Sequence, residues 1–330
     1  MSRLAPCSTF NQIVFWLLAS TTASAAPLYD WEDPNSQAII EEISKAGIAK
    51  DEEKQKEIKC PPRLTPYKPN HVVYQWAKDD ELAFRVHYSF KYRLYPLNNP
   101  DICSSSISGF NSQAYFSYTG VFDFYAGTRY SGPVINRISN PAFHYRYANA
   151  EELEKRIPFL SLKWIDFGLE HRSDGQVNEP LDLAVQAAAQ QAFDANDHKY
   201  FDSISQGSNY VSAEAHFNPI GNWSTYASIK AYISQNSQVT WGPLKNSNVS
   251  ISNYDILNIV ARKAIGNGEL SLEYIIGSGG FRKSSGNIDY LFSRETAFPM
   301  YVRVHFGPFQ TLSNYTVSKP SIGIGVKLIP

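Results

Sequence analysis

No stretch of this chain stays apolar long enough to cross a membrane as a helix, which takes about 20 residues. If the protein lies in a membrane, it must span it with strands closed on themselves, because hydrocarbon leaves no partner for free backbone groups. An excess of one charge sign is lacking too: 30 Lys and Arg face 31 Asp and Glu, for a net charge of −1. That excludes the basic surplus of a nucleic-acid binder. Disorder is excluded as well, since 14% of the residues are aromatic and only 18% are charged. Methionine, at two residues, is nearly missing, whereas Tyr (21) and Phe (19) are plentiful. Cysteine is limited to three residues, and no His/Cys spacing of the zinc type occurs.

The opening segment, MSRLAPCSTFNQIVFWLLASTTASAAP, has Arg3 near its start, a short apolar run from Ile13 to Ala19, and the small-residue site Ala23-Ser24-Ala25. It reads as a secretory signal peptide over residues 1–25. Its removal takes Cys7 away and leaves Cys60 and Cys103, an even pair in an exported protein and hence a disulfide candidate. Residues 26–68 are charged, weakly helical and interrupted by Pro61-Pro62, as expected of an N-terminal periplasmic extension.

From residue 69 to 330 the texture changes to strands. In 82–94, Leu82, Phe84, Val86, Tyr88, Phe90, Tyr92 and Leu94 line one face, and Arg85, His87, Ser89, Lys91 and Arg93 the other. Such an alternation is long for a soluble sheet and suits a barrel strand of about 9–11 residues, with lipid outside and a polar lumen inside. The pattern recurs in 114–128, 158–170, 209–217, 223–234, 255–265, 269–277, 287–296, 300–312 and 321–329, with 148–156 reading as helix or turn. The segments NPIGN and IGNGE are short turns, while 235–254 is long and polar. The expected fold is an all-β transmembrane antiparallel β-barrel of about a dozen strands.

In the strand that ends FGLEHRSDGQ, odd positions give Phe167, Leu169, His171 and Ser173, and even positions Asp166, Glu170 and Arg172. His171 and Ser173 therefore share the lipid-facing side. A lone histidine there reads as a rim residue at headgroup level. A serine on the same face adds the base–nucleophile pair of a serine hydrolase. In 209–217, Asn209 heads the apolar face made by Val211, Ala213, Ala215 and Phe217. Its amide can accept from the far imidazole nitrogen without adding a charge. Three such groups outside a barrel meet one abundant substrate, lipid.

GLEHRSDGQ resembles the Gly-x-x-His-x-Ser-(Asn/Asp)-Gly signature of the outer-membrane phospholipase A family, and SISQGSNYVSAEAHF (203–217) is similar to the segment that supplies its asparagine. ISNPAF (138–143) matches a Ser-x-Pro loop, and VRVHFGPFQTLSNYTVSKPSIGIGVKL resembles the last two strands. The resemblance, over about residues 70–329, implies a calcium-dependent enzyme of the Gram-negative outer membrane, active as a homodimer at the outer leaflet. Such an enzyme cleaves phospholipid acyl esters to lysophospholipid and fatty acid. It makes His171 the base, Ser173 the nucleophile and Asn209 the orienting group. Calcium would take the Gln176 carbonyl and the Ser205 hydroxyl, with the Ser139 carbonyl coming from the second subunit; Asp174 is a further candidate ligand or a turn former. The chain departs from the family in an insertion that includes the helix-prone 180–196, in Ser208 where an aromatic is expected, and in an end, KLIP, without a terminal aromatic. The competing expectation is a catalytically silent outer-membrane barrel, structural or a narrow channel. A soluble lipase or lectin-like sandwich fits the long apolar faces poorly.

Cys60 falls before the first strand and Cys103 between the second and third, both at the periplasmic end. A Cys60–Cys103 disulfide is the expected outcome. Thiol titration of the denatured, unreduced mature protein then finds neither cysteine reactive; two reactive thiols would rule the bond out.

Overall fold

The computed structural model describes residues 62–77, 81–95, 112–125, 134–148, 155, 161–197, 199–236, 239–296, 298–313 and 315–328. The segment expected to be a signal peptide, both Cys60 and Cys103, and the terminal Ile329 and Pro330 lie outside the described residues.

The fold is a closed antiparallel β-barrel of twelve strands, drawn from thirteen paired segments. The first strand, β1, is interrupted: Leu64–Pro66 and Asn70–Ala77 both pair with one flank of β2 (Glu81–Tyr95). Pro69 has no N–H to give at the interruption. There the Asn70 side chain accepts from the Ser89 N–H at 2.6 Å, and the His87 ring bonds the Pro69 carbonyl at 2.8 Å. Strand pairing thus begins at Leu64, inside the segment expected to be a periplasmic extension.

The remaining strands are β3 (Ser112–Phe124), β4 (Ile135–Tyr147), β5 (Leu162–Ser173), β6 (Gly207–Phe217), β7 (Trp223–Asn236) and β8 (Leu257–Ile265). Then follow β9 (Gly268–Ile276), β10 (Ser285–Leu291), β11 (Met300–Phe306) and β12 (Ser321–Leu328). Each strand pairs with the next, and β12 closes on β1 from Ser321 opposite Ala77 to Leu328 opposite Asn70. Closure leaves no sheet edge, the condition for strands in hydrocarbon.

Two expectations change. The segment 138–143, read as a loop, lies within β4. The run 300–312 stops as a strand at Phe306, because Gly307 takes a left-handed φ of 84° and Pro308 follows. The short turns are where the Gly/Asn-rich segments NPIGN and IGNGE placed them, with Gly221 and Gly266 at φ of 63° and 56°. On the outer face Tyr88 lies flat across Gly120, where any side chain would collide with its ring.

Several inward-facing charges pair with one another. Arg85 holds Asp123, Arg303 and Lys327 share Asp289, and Arg146 and His144 share Asp166, which also accepts from Tyr115. Two internal cavities of about 230 and 270 Å³ lie among these groups.

At the end of the barrel that carries the long loops, sequence that reads as polar hides an apolar core. The expected helix forms as α1 (Leu183–Asp194), with the Asp182 carboxylate accepting from the Ala184 and Val185 N–H groups. Its Ala189 and Ala192 pack with Phe201, Trp241, Ile251 and Leu312 from three different loops. Beneath this core, Arg172 of β5 and Lys230 of β7 converge on Asp255 at 2.9 and 2.7 Å. Burial by itself would raise the Asp255 carboxyl, but the two cations outweigh it and hold it below the usual carboxylate range.

A carboxyl depressed in the folded state stabilises above its unfolded pKa, about 3.9, and that stabilisation is lost as pH falls toward the folded value. Asp255→Asn leaves two buried cations short of their anion and is expected to cost about 3–5 kcal/mol at pH 7. Unfolding midpoints of the refolded barrel between pH 3 and 7 test this. The parent should lose stability on the acid side, and the variant should start lower with a shallower acid slope.

Candidate active site

β5 and β6 bring the three candidate residues to one spot on the outer face. Alternation along β5 buries Trp164, Asp166, Gly168 and Glu170, whereas Phe167 and Leu169 are 52% and 55% exposed. His171 and Ser173 continue that outward row. His171 lies opposite Asn209 in the β5–β6 register, and Ser173 lies opposite Gly207. Directly paired residues share a face and bring their side chains close.

The geometry is that of a Ser-His-Asn triad. His171 Nδ1 is 2.8 Å from Asn209 Oδ1, and Nε2 is 3.2 Å from Ser173 Oγ. An amide oxygen accepts only, so Nδ1 carries the proton and Nε2 is left to take the serine hydroxyl proton. The third link goes further than the sequence pattern: Asn209 Nδ2 donates to Ser234 Oγ on β7 at 2.7 Å.

The strand is also held from within. Pairs on either side set Pro141 of β4 opposite His171, and the β4–β5 ladder skips Asn140 and Pro141. Proline has no N–H to offer the His171 carbonyl. Asn140 Nδ2 supplies the missing donor at 2.8 Å. Arg172, between the two catalytic candidates and on the other face, donates to Asp255 at 2.9 Å and Tyr232 at 3.1 Å. Glu170 accepts from Tyr210 at 2.9 Å and Ser212 at 2.5 Å. None of these supports had a signal in local periodicity, since each joins residues far apart in the chain.

The residues expected at a calcium site fall into two groups. Gln176 and Ser205 lie on adjacent segments zipped by Asp174 N–H to Gln206 carbonyl (3.1 Å), Asn178 N–H to Ser203 carbonyl (3.2 Å) and Ser205 N–H to Asn178 carbonyl (2.7 Å). Gly175, at φ 58°, makes the turn that leads out of Ser173. Neutral carbonyl and hydroxyl oxygens on the segments next to Ser173 are a hard donor set of the kind calcium takes, with water completing the shell. Ser139 lies opposite Ser173 in the same chain, its hydroxyl bonded to Tyr118 at 2.9 Å.

Asp174 is fully buried, and its carboxylate accepts from the Gln206 N–H (2.9 Å), the Gln176 N–H (3.3 Å) and the Ser313 hydroxyl (2.8 Å). Burial pushes this carboxyl up, against those hydrogen bonds. These bonds clamp the loop after Ser173 to the β11–β12 loop. Among the described residues, no cluster of three His, Cys, Asp or Glu could hold a metal. Ser208, the expected aromatic position, is a buried residue on the lumen side.

No family model matches the sequence, and no curated protein sequence matches it. Solved structures do match the fold. The outer membrane phospholipase A of Escherichia coli superposes with a TM-score of 0.58 at 16% identity, covering 80% of this chain and 94% of that one. An active-site mutant of the same enzyme gives 0.56 at 17%, covering 83% and 94%. The outer membrane phospholipase of Salmonella typhi, a dimer with bound calcium, gives 0.57 at 17%, covering 84% and 94%. At this level of identity the likeness is one of fold, and in fold the chain resembles the outer-membrane phospholipase A family.

Proposed function

We propose that the protein is an outer-membrane phospholipase A that hydrolyses acyl esters of phospholipids at the outer leaflet of a Gram-negative bacterium. One observation carries this: a serine, a histidine and an asparagine in hydrogen-bonded series on the apolar outer face of a barrel. A hydrolytic triad turned away from the lumen reaches lipid and little else.

His171 Nε2 takes the Ser173 hydroxyl proton as Oγ attacks the acyl carbonyl, a general-base step within hydrogen-bond reach. The imidazolium that forms keeps its Nδ1–H on Asn209 Oδ1, a neutral acceptor in a setting of low polarity. From Nε2 it returns the proton to the departing lysophospholipid oxygen, leaving an acyl-serine. Water, deprotonated by the same nitrogen, attacks that ester and releases the fatty acid. A calcium ion held by the Gln176 carbonyl and the Ser205 hydroxyl would supply positive charge for the developing oxyanion. The Ser139 carbonyl of a second subunit would complete that site, which makes the active form a homodimer. The alternative, a narrow channel, is disfavoured by inward-facing charges that are taken up in ion pairs along the inner wall.

The test is fatty-acid release from mixed phospholipid–detergent micelles by the refolded protein, with calcium or with chelator. Ser173→Ala should cut the rate by at least about 10⁴-fold while the barrel stays folded. Chelator should suppress the parent. Hydrolysis retained in Ser173→Ala overturns the assignment of the nucleophile. An inert parent that conducts ions in planar bilayers moves the reading to the channel.

A further inference from the structure

We infer that Ser234 is a positioning residue for hydrolysis, a fourth member of the series that runs Ser173–His171–Asn209. The inference rests on the triad reading above and deepens it.

By alternation alone Ser234 belongs in the lumen. Tyr226, Ser228, Lys230 and Tyr232 are the inward row of β7, for Lys230 and Tyr232 both donate to Asp255. Ile229, Ala231 and Ile233 are exposed on the outer row, Ile233 by 66%. Ser234 continues the even, inward count. The β6–β7 register breaks this count: Tyr210 pairs with Tyr232, but Asn209 pairs with Ser234, so Ile233 is an extra residue. A one-residue bulge of this kind flips the side chains that follow it to the opposite face. Gln235 turns inward to the loop at Ser252, while Ser234 comes out beside Asn209.

Without the bulge, Ile233 would stand opposite Asn209. An apolar neighbour leaves the Asn209 NH₂ without an acceptor on a lipid-facing surface, where an unpaired donor is costly. The amide would then be free to swing or flip, presenting NH₂ to the His171 N–H. With Ser234 in place both ends of the amide are engaged, Oδ1 by His171 at 2.8 Å and Nδ2 by Ser234 at 2.7 Å. The hydrogen bond of Ser234 goes to Asn209, and those of His171 go to Asn209 and Ser173, so Ser234 acts through Asn209.

The experiment compares parent, Ser173→Ala, Asn209→Ala, Ser234→Ala, Ser234→Thr and the Asn209→Ala/Ser234→Ala pair. All are full-length refolded proteins, assayed on phosphatidylcholine micelles with calcium. Labelling of Ser173 by a fluorophosphonate probe reads nucleophile activation independently of lipid binding. Ser234→Ala should lower kcat and the labelling rate by about 5- to 10-fold, the weight of one net hydrogen bond, with KM unchanged. Ser234→Thr, which keeps the hydroxyl, should restore both. In the double variant the Ser234 change should cost nothing further, since its only route is already gone.

A parent-like Ser234→Ala, additive losses in the pair, or a loss that tracks a lowered unfolding midpoint and is not rescued by threonine each overturn the inference, while a silent Ser173→Ala leaves the triad standing. Hydrolysis that survives in Ser173→Ala removes the triad and this inference together.

Discussion

Closure of the sheet is the constraint on which the rest depends. Every strand must give its backbone groups to a neighbour, because hydrocarbon offers none. The contact of β12 with β1 completes that ring. Once the ring is closed, side chains have only two destinations, and period-2 alternation assigns them. The outward row of β5 therefore carries phenylalanine, leucine, histidine and serine in sequence, and its inward row carries Asp166, Glu170 and Arg172. His171 and Ser173 on such a strand face outward by the same rule that puts charges inside.

The interior then serves as a rigid backing. Charges removed from water are costly unless paired with good geometry, and removing one partner costs more than the pair contributes. The ion pairs of this lumen therefore fix the strands against each other more than they add net stability. At the site this backing is specific. Arg172 is pinned by Asp255 and Tyr232, and the His171 carbonyl by Asn140. His171 and Ser173 thus stand on a strand whose inner face has little freedom. The loops add a second layer, with Asp174 tying the turn beyond the serine to Gln206 and Ser313.

Membrane-end loops usually read as polar excursions, and 235–254 reads that way here. Yet Trp241, Val249, Ile251 and Tyr254 are buried together with α1 and the β11–β12 loop. Each loop contributes only a few apolar residues, too few to show a period, and their sum makes a core. The helix-prone insertion is accounted for by this core: Asp182 starts it, and Ala189 and Ala192 are small enough to seat it closely.

Much of the architecture is legible in the order of residues, because barrel strands obey a local rule. Alternation suffices for the strand character of 82–94 and 209–217, for the lipid-facing side of His171, Ser173 and Asn209, and for glycine turns such as that at Gly221. β4 is not legible in this way, because Pro141 is a strand breaker, tolerated only because the side chain of Asn140 takes over the hydrogen bond that Pro141 lacks. A count of alternation from its neighbours would turn Ser234 inward, and an extra residue at Ile233 reverses that count. Strand identity and facing are set by the order of side chains along the chain. Register, bulges and the loop core are decided only by the tertiary structure, since they minimise unpaired groups and exposed apolar surface summed over segments distant in sequence.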